Sequence, residues 1–439
     1  MVDKKLLGFS ENMQKKCIEN DTISNVLFKE YGVYCGLRDE NGKGVLTGLT
    51  KISKVIPFDG KGGQLWYRGY TVKDLIANVC KDGCGFEKAA YLLLFGNIPT
   101  EGEYEEFRKI IAECRRLPRN FTRDIIMKAA SDDVMISMTR SILALASYDK
   151  NPRDLSLENV ISQCIYLMSV FPMLAVYSYH AYNHYTHMAS MYIHHPRKEL
   201  SLTENLLYML RPDNKFTELE ARVLDIALIL HMEHGGGNNS TFTTRVVTSS
   251  GSDTYSTIGA AMASLKGPKH GGANIKVVEM MKNINENVSN KKDDGEIKSY
   301  LARILEKDAF DRQGLIYGMG HAVYSVSDPR EQILKDYAIK LAKEKHMEKE
   351  LHLYEKVEKL APEVIAEKRK IYKGVSPNVD FFSGFVYKLL KIPPELYTSL
   401  FAVARIVGWC SHRIEEIIGA GKIIRPAYMS VMEERSENQ

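Results

Sequence analysis

Polar and apolar positions along this 439-residue chain follow a helical period over most of its length. Beyond Tyr70, apolar residues recur at three- and four-residue spacing, as on a helix with one buried face. Helix starts are marked. In Thr100-Glu-Gly-Glu103 the threonine hydroxyl can cap the third amide while the glutamate reaches back, ahead of the amphipathic run 104–111. Thr217-Glu-Leu-Glu220 repeats the pattern before the apolar run 221–230. Ser131-Asp-Asp133 can cap a helix carrying Met135, Ile136, Met138, Ile142 and Leu143. Small residues dominate 258–265, which predicts a helix packed closely against another backbone. The charged run 344–350 reads as a solvated helix face, and the polar run 289–295 as a surface loop. Pro393-Pro394 breaks the chain before a last apolar helix over 396–418.

The N-terminal part differs. Residues 1–30 read as a polar helical arm. Glycines at 36, 42, 44, 48, 60, 62 and 63 then interrupt the helical period. Val45-Leu-Thr47 and Lys54-Val-Ile56 predict short strands there. Residues 433–439 read as a frayed end. There is no internal repeat and no alternation of strands with helices. The fold class is therefore mostly α, with a minor β-hairpin region near the N-terminus. A prior of about 150 residues per domain allows two or three domains.

Composition narrows the function classes. Hydrophobic content of 44% and charged content of 26% are those of an ordinary soluble globular protein. A net charge of +4 is too small for a dedicated nucleic-acid surface, although it permits a local basic pocket. The cysteines, at 17, 35, 80, 84, 114, 164 and 410, are odd in number and lack framework spacing, as in a reducing compartment. Cys80 and Cys84 have no second pair to complete a zinc site. The N-terminus carries no signal-like core, and no apolar run reaches the ~20 residues of a membrane span. A cytoplasmic protein without membrane or nucleic-acid partners is expected.

Four positions stand out because glycine or proline frames a proton-transfer side chain. They are His234 in Glu-His-Gly-Gly-Gly-Asn238, His270 in Gly267-Pro-Lys-His-Gly-Gly272, His321 in Gly318-Met-Gly-His-Ala-Val323 and Asp380 in Pro377-Asn-Val-Asp. Glycine lets backbone and ligand approach closely, and imidazole and carboxylate are common acid–base groups. His270 is presented by its neighbours rather than packed. His234 and His231 close an apolar helix, where either could instead be a core histidine beside a glycine C-cap. Their spacing of three, with Met232 after His231, fails the metalloprotease pattern. Gly318-Met-Gly320 follows no strand, so it is no dinucleotide fingerprint. Asp380 precedes Phe381 and Phe382, whose desolvation would raise its basicity; it could equally cap the next helix. His180, His184 and His187 share a helix face, but the tyrosines around them suit a packing surface better than a metal site.

Arg405 is the only charge in 401–410. A buried guanidinium requires an anion. That anion is either a structural carboxylate or a substrate carboxylate held bidentately. Arg330 and Arg425 could add two further forks, a set suited to a di- or tricarboxylate.

With these residues in place, the chain resembles the citrate synthase family over nearly its full length. The matching stretches are Leu65-Trp-Tyr-Arg-Gly-Tyr70, Ala89-Ala-Tyr-Leu-Leu-Leu94, Glu233-His-Gly-Gly-Gly-Asn238, Ser240-Thr-Phe-Thr-Thr-Arg-Val246, Gly267-Pro-Lys-His-Gly-Gly-Ala-Asn274, Gly320-His-Ala-Val323, Asp328-Pro-Arg330, Pro377-Asn-Val-Asp380 and Ile424-Arg-Pro426. The resemblance implies a two-domain helical fold, with a large domain of residues 1–274 and 383–439 and a small one of 275–382. It implies a homodimer, or a higher oligomer, that condenses oxaloacetate with acetyl-CoA and hydrolyses the citryl thioester without cofactor or metal. It gives His270, His321 and Asp380 catalytic roles. It assigns His234, Arg330, Arg405 and Arg425 to substrate carboxylates, with Arg425 from the partner subunit. Met319, Gly320, Ala322 and Lys373 would contact CoA. Ser325 stands where some members carry a basic residue for the CoA phosphate. 2-Methylcitrate synthase, which uses propionyl-CoA, is the neighbouring reading, and a non-catalytic carboxylate- or metal-binding helical protein the remote one.

Overall fold

The computed structural model describes residues 37–38, 44–57, 62–81, 83–320, 324, 327–369, 375–419 and 422–432. The expected polar arm at 1–30, the tail 433–439, and His321, Ala322, Ser325 and Lys373 lie outside the described residues.

Residues 1–49 and 50–439 are separate compact units. In the first, Arg38 and Gly44 form an isolated bridge, and the Val45 amide donates to the Leu37 carbonyl at 2.8 Å. The strand expected at 45–47 does not form: that stretch has no partner strand among the described residues, and Leu46 is 82% exposed. The second unit opens with an antiparallel sheet of β1 (Ser53–Ile56), β2 (Gln64–Tyr67) and β3 (Tyr70–Thr71). Ser53 pairs with Tyr67, and Trp66 with Thr71. The two residues between β2 and β3, Arg68 and Gly69, both have positive φ, +47° and +92°. A two-residue hairpin of matching twist requires this, and glycine supplies it readily.

The rest is helical: α1 (Phe86–Phe95), α2 (Glu101–Cys114), α3 (Val134–Leu145), α4 (Leu157–His187), α5 (Leu202–Leu210), α6 (Glu218–His231), α7 (Asn239–Ser249), α8 (Thr254–Lys266), α9 (Ala273–Asn287), α10 (Asp294–Leu305), α11 (Pro329–Glu344), α12 (Glu348–Arg369), α13 (Val379–Leu389) and α14 (Tyr397–Gly419). The capping boxes at Thr100 and Thr217 form as expected, and Asp133 caps α3 through the Ile136 amide. The small-residue helix is α8. It lies against α7 and α3, where a Cβ on Gly259 would come 3.1 Å from Leu143. The charged run 344–350 is a corner instead of a helix face: α11 stops at Glu344, His346 turns with φ +55°, and α12 restarts at Glu348. Lys345 there pairs with Glu220 at 2.7 Å.

Helix α14 is the axis of the core. Its residues 399–414 are all buried, and it touches α1, α4, α6, α7 and α8. Helix α4 has the length and mean hydropathy of a membrane span, but 78% of its apolar window is buried against protein. Its histidines pack as expected. His180 Nε2 lies 3.2 Å from the Met209 carbonyl, His184 Nδ1 2.8 Å from that of Ala189, and His187 Nε2 3.2 Å from the Tyr182 hydroxyl. Helices α9 to α13 pack largely on one another and meet the remainder mainly through α6, the helical turn Val72–Asp74 and β2.

Candidate active site

The candidate site draws on the end of α6, the turn after α8, the starts of α11 and α13, and the middle of α14. The first of these belongs to α6. His231 ends that helix fully buried, with Nδ1 2.7 Å from the Ala227 carbonyl and its ring edge-on to Phe401 at 5.0 Å. Burial, reinforced by Arg330 and Arg405, takes it down to about 3, so it is a neutral core histidine. His234 follows on a turn closed by Gly235, whose φ is +86°. Its ring is half-buried and edge-on to Tyr324, with centroids 5.6 Å apart.

His270 lies on the tight turn between α8 and α9. Its amide donates to the Gly267 carbonyl at 2.8 Å, and a Cβ on Gly271 would fall 2.4 Å from the Leu265 carbonyl oxygen. The Ser240 amide, in the first turn of α7, donates to His270 Nε2 at 3.3 Å, and the Ser240 hydroxyl lies 3.0 Å from the same nitrogen. A backbone N–H can only donate, so Nε2 is the acceptor and the ring proton sits on Nδ1. Trp409 Nε1 donates to the Ser240 hydroxyl at 3.1 Å and fixes it from α14. Burial, aided by the Arg405 charge, lowers His270 to about 4. It is therefore a neutral imidazole with a defined tautomer and a donor at Nδ1.

Asp380 sits in the first turn of α13. The helix is capped by Asn378, whose Oδ1 accepts the Asp380 amide at 3.0 Å, so capping is not the aspartate's task. The segment is tied to the one leading to His321: the Gly320 amide donates to the Ser376 carbonyl at 2.8 Å, and the Asn378 amide to that of Gly318 at 2.9 Å. Met319 bridges Pro377 in the same pairing. Gly318 has φ +77° with Phe381 and Val277 under 3.0 Å from a would-be Cβ, so only glycine fits. Burial raises Asp380 to about 6, against the lowering pull of Arg330 and Arg405. Phe381 and Phe382 contribute to this enclosure but turn into the core against Tyr354.

Arg330 and Arg405 differ. Asp328 grips Arg330 bidentately, at 3.0 Å to Nε and 2.7 Å to Nη2, and also accepts the Val379 amide at 3.2 Å. Burial opposes the Arg330 charge, but Asp328 outweighs it and keeps the guanidinium protonated. Arg405 is 1% exposed; its Nε donates to the His231 carbonyl at 2.8 Å, and its guanidinium stacks 4.7 Å from the Phe401 ring centroid. No carboxylate among the described residues comes within the 4.0 Å of an ion pair with it. Burial lowers its affinity for the proton to about 10, with Glu233 opposing. The Arg405 charge acts on His270, Asp380 and Glu233 alike, which places all four in one electrostatic neighbourhood.

A donor at His270 Nδ1, a carboxylate of raised basicity and a buried guanidinium with no carboxylate in ion-pair contact among the described residues suit proton abstraction beside a bound carboxylate. The family model described as "Citrate synthase, C-terminal domain" matches residues 37–427. The chain belongs to the citrate synthase family. It is 32% identical over 379 residues to the citrate synthase of Synechocystis sp., covering 86% of this chain and 88% of that protein. It is 30% identical over 385 residues to the 2-methylcitrate synthase of Shewanella oneidensis, covering 88% and 92%. Among solved structures, the citrate synthase of Pyrobaculum aerophilum superposes with a TM-score of 0.74 at 27% identity, covering 90% and 92% of the chains. A citrate synthase from Thermoplasma acidophilum in ternary complex with carboxymethyl coenzyme A and oxaloacetate gives 0.73 at 28%, covering 89% and 96%. This citrate synthase family member is accordingly an acyltransferase.

Arg425 is exposed, on a segment anchored where the Ile424 amide donates to Ser249 Oγ at 3.0 Å; no hydrogen bond or ion pair among the described residues joins it to His270 or Asp380 of its own chain. Ser240, Trp409, Asp328, Glu233 and His412 support the site without any local mark in the sequence that sets them apart as site residues. Trp409 and His412 lie four and seven residues after Arg405, so the polar edge of one face of an apolar helix was their available signal.

Proposed function

We propose that the protein is a citrate synthase. The observation that carries this reading is the neutral, Nδ1-protonated His270 and the raised-pKa Asp380 around the Arg405 guanidinium. Asp380 takes a methyl proton from acetyl-CoA. The developing enolate oxygen accepts a hydrogen bond from His270 Nδ1, a preorganised donor in a dry site. The enol carbon forms its bond to the keto carbon of oxaloacetate, whose oxygen receives a proton from His321. Water then cleaves the citryl thioester to give citrate and CoA. His234, Arg330 and Arg405 hold the oxaloacetate carboxylates, with Arg330 aligned by Asp328. Arg425 reaches the site of the partner subunit in a cytoplasmic homodimer. Met319, Gly320, Ala322 and Lys373 contact CoA. The reaction so written uses only protein acid–base groups, without cofactor or metal. Residues 275–382 act as a small domain that closes over substrate, with the glycines beside His270 and His321 at its hinges.

The relatives named 2-methylcitrate synthase, of similar identity, keep propionyl-CoA in view as the second acyl donor. A pocket separates substrates that differ by one methylene by about 1–3 kcal/mol. Turnover of the two thioesters at saturating oxaloacetate is expected to favour acetyl-CoA by roughly tenfold or more; a propionyl-CoA preference assigns the protein to the second reading.

The pH profile carries a sign. A base must be ionised, and Asp380 titrates near 6. His270 stays neutral until pH falls to about 4. The acid limb of kcat/KM for acetyl-CoA is therefore expected to fall with a single proton near pH 6, with a second loss only near pH 4. A flat profile from pH 5 to 8 removes Asp380 as the base.

A further inference from the structure

Glu233 immediately precedes His234 and is fully buried. Its Oε1 accepts three hydrogen bonds: the Gly235 amide at 2.6 Å, the Ser53 hydroxyl at 2.9 Å and His412 Nε2 at 3.1 Å. The first spans His234 and clasps its turn. The second ties that turn to β1, and the third to α14. The backbone of the turn is held as well, since the Glu233 amide donates to the Tyr67 hydroxyl at 3.2 Å and the same hydroxyl lies 3.0 Å from the Glu233 carbonyl.

The other oxygen, Oε2, has no hydrogen-bond partner among the described residues and lies over Gly408, where a Cβ would come within 2.4 Å of it. Arg405, Gly408 and His412 occupy one face of α14 at i, i+3 and i+7. The carboxylate thus sits over a gap in the helix surface between two basic side chains. Burial alone would raise Glu233, but His412, then Arg405 and Ser53, outweigh it and hold the group at about 2. Seen from Arg405, Glu233 is the largest favourable influence on its charge. The anion nevertheless stays beyond ion-pair distance, so it compensates the guanidinium without occupying the fork.

We propose that Glu233, seated on Gly408 and paired with His412, is a positioning residue that orients His234 and keeps Arg405 charged with its fork open for a substrate carboxylate. A closer carboxylate would close the fork, and none at all would leave a buried cation uncompensated. This inference rests on the oxaloacetate-binding role proposed above.

The test measures oxaloacetate binding by calorimetry, without acyl-CoA, to the full-length enzyme and to Glu233→Gln and Gly408→Ala, with steady-state kinetics and melting temperatures alongside. Gly408→Ala keeps every charge; its Cβ would press on the Glu233 carboxylate at 2.4 Å and on the Met232 carbonyl oxygen at 2.6 Å, so its melting temperature is read beside its binding. Each variant is expected to bind oxaloacetate about 30-fold more weakly or worse, the low end for disturbing a buried charge arrangement. At saturating oxaloacetate, kcat is expected to change far less, and KM for acetyl-CoA to stay near wild type. Variants that bind oxaloacetate as tightly as wild type overturn the inference. So do variants in which both KM values rise and kcat falls together with the melting temperature, since that marks a merely structural role. If Glu233→Gln does not fold, Gly408→Ala alone decides. A wild-type enzyme that does not bind oxaloacetate refutes the proposed function instead.

Discussion

Asp380→Asn is expected to lower kcat by about 10²–10⁴-fold, the usual contribution of a positioned general base, while oxaloacetate affinity changes by less than about twofold. The substitution is nearly isosteric. Asn378 caps α13, so the helix start does not depend on the Asp380 carboxylate. The sign of the stability effect follows from the raised pKa. A carboxyl that titrates near 6 in the fold is penalised as an anion, so its stabilising contribution is present at low pH and lost as pH rises through about 6. At pH 7 the neutral amide removes that penalty, and the melting temperature is expected to hold or rise. Lost turnover with retained stability is the signature of a group strained for function. Single-turnover kinetics, calorimetry and a melting curve on one preparation check all three. A variant with near-wild-type kcat removes Asp380 from the proton transfer.

Arg405→Gln is expected to act on the other substrate. Losing a buried, hydrogen-bonded charge partner costs about 2–5 kcal/mol, so KM for oxaloacetate should rise by about 30-fold to several thousand-fold. The fold should suffer too. Glu233 loses the Arg405 contribution that helps hold it at about 2, and the His231 carbonyl loses its 2.8 Å donor. A lower melting temperature is therefore expected here, the opposite of Asp380→Asn. Steady-state KM for oxaloacetate together with thermal unfolding measures both. An unchanged KM would make Arg405 a structural cation only.

What the sequence disclosed depended on the range of the interaction. Thr100, Asp133 and Thr217 announced their helices because a cap and its amide lie within three residues. The corner at 345–347 was hidden because its charged residues suit a helix as well, and the turn depends on His346 adopting positive φ and on Lys345 finding Glu220 far back in the chain. The β2–β3 hairpin was missed because Arg68-Gly69 lacks the usual asparagine or aspartate turn signal. His270, Asp380 and Arg405 were legible because unusual flanking residues or an isolated charge marked them. Their support was not. Ser240 serves His270 across 30 residues, and Trp409 reaches Ser240 across 169. Glu233 and His412 meet across 179. Such pairs follow from helix packing, which local patterns do not encode. Asp328 shows the same limit at short range, since nothing in Asp-Pro-Arg says that the aspartate grips the arginine.

The most direct test of the account is free-thiol release from acetyl-CoA, followed with a thiol reagent with and without oxaloacetate, and with the product acid identified. The account predicts no release with acetyl-CoA alone, and CoA and citrate in equal amounts once oxaloacetate is added. Thiol release that does not depend on oxaloacetate, or its absence when both substrates are present, would contradict it.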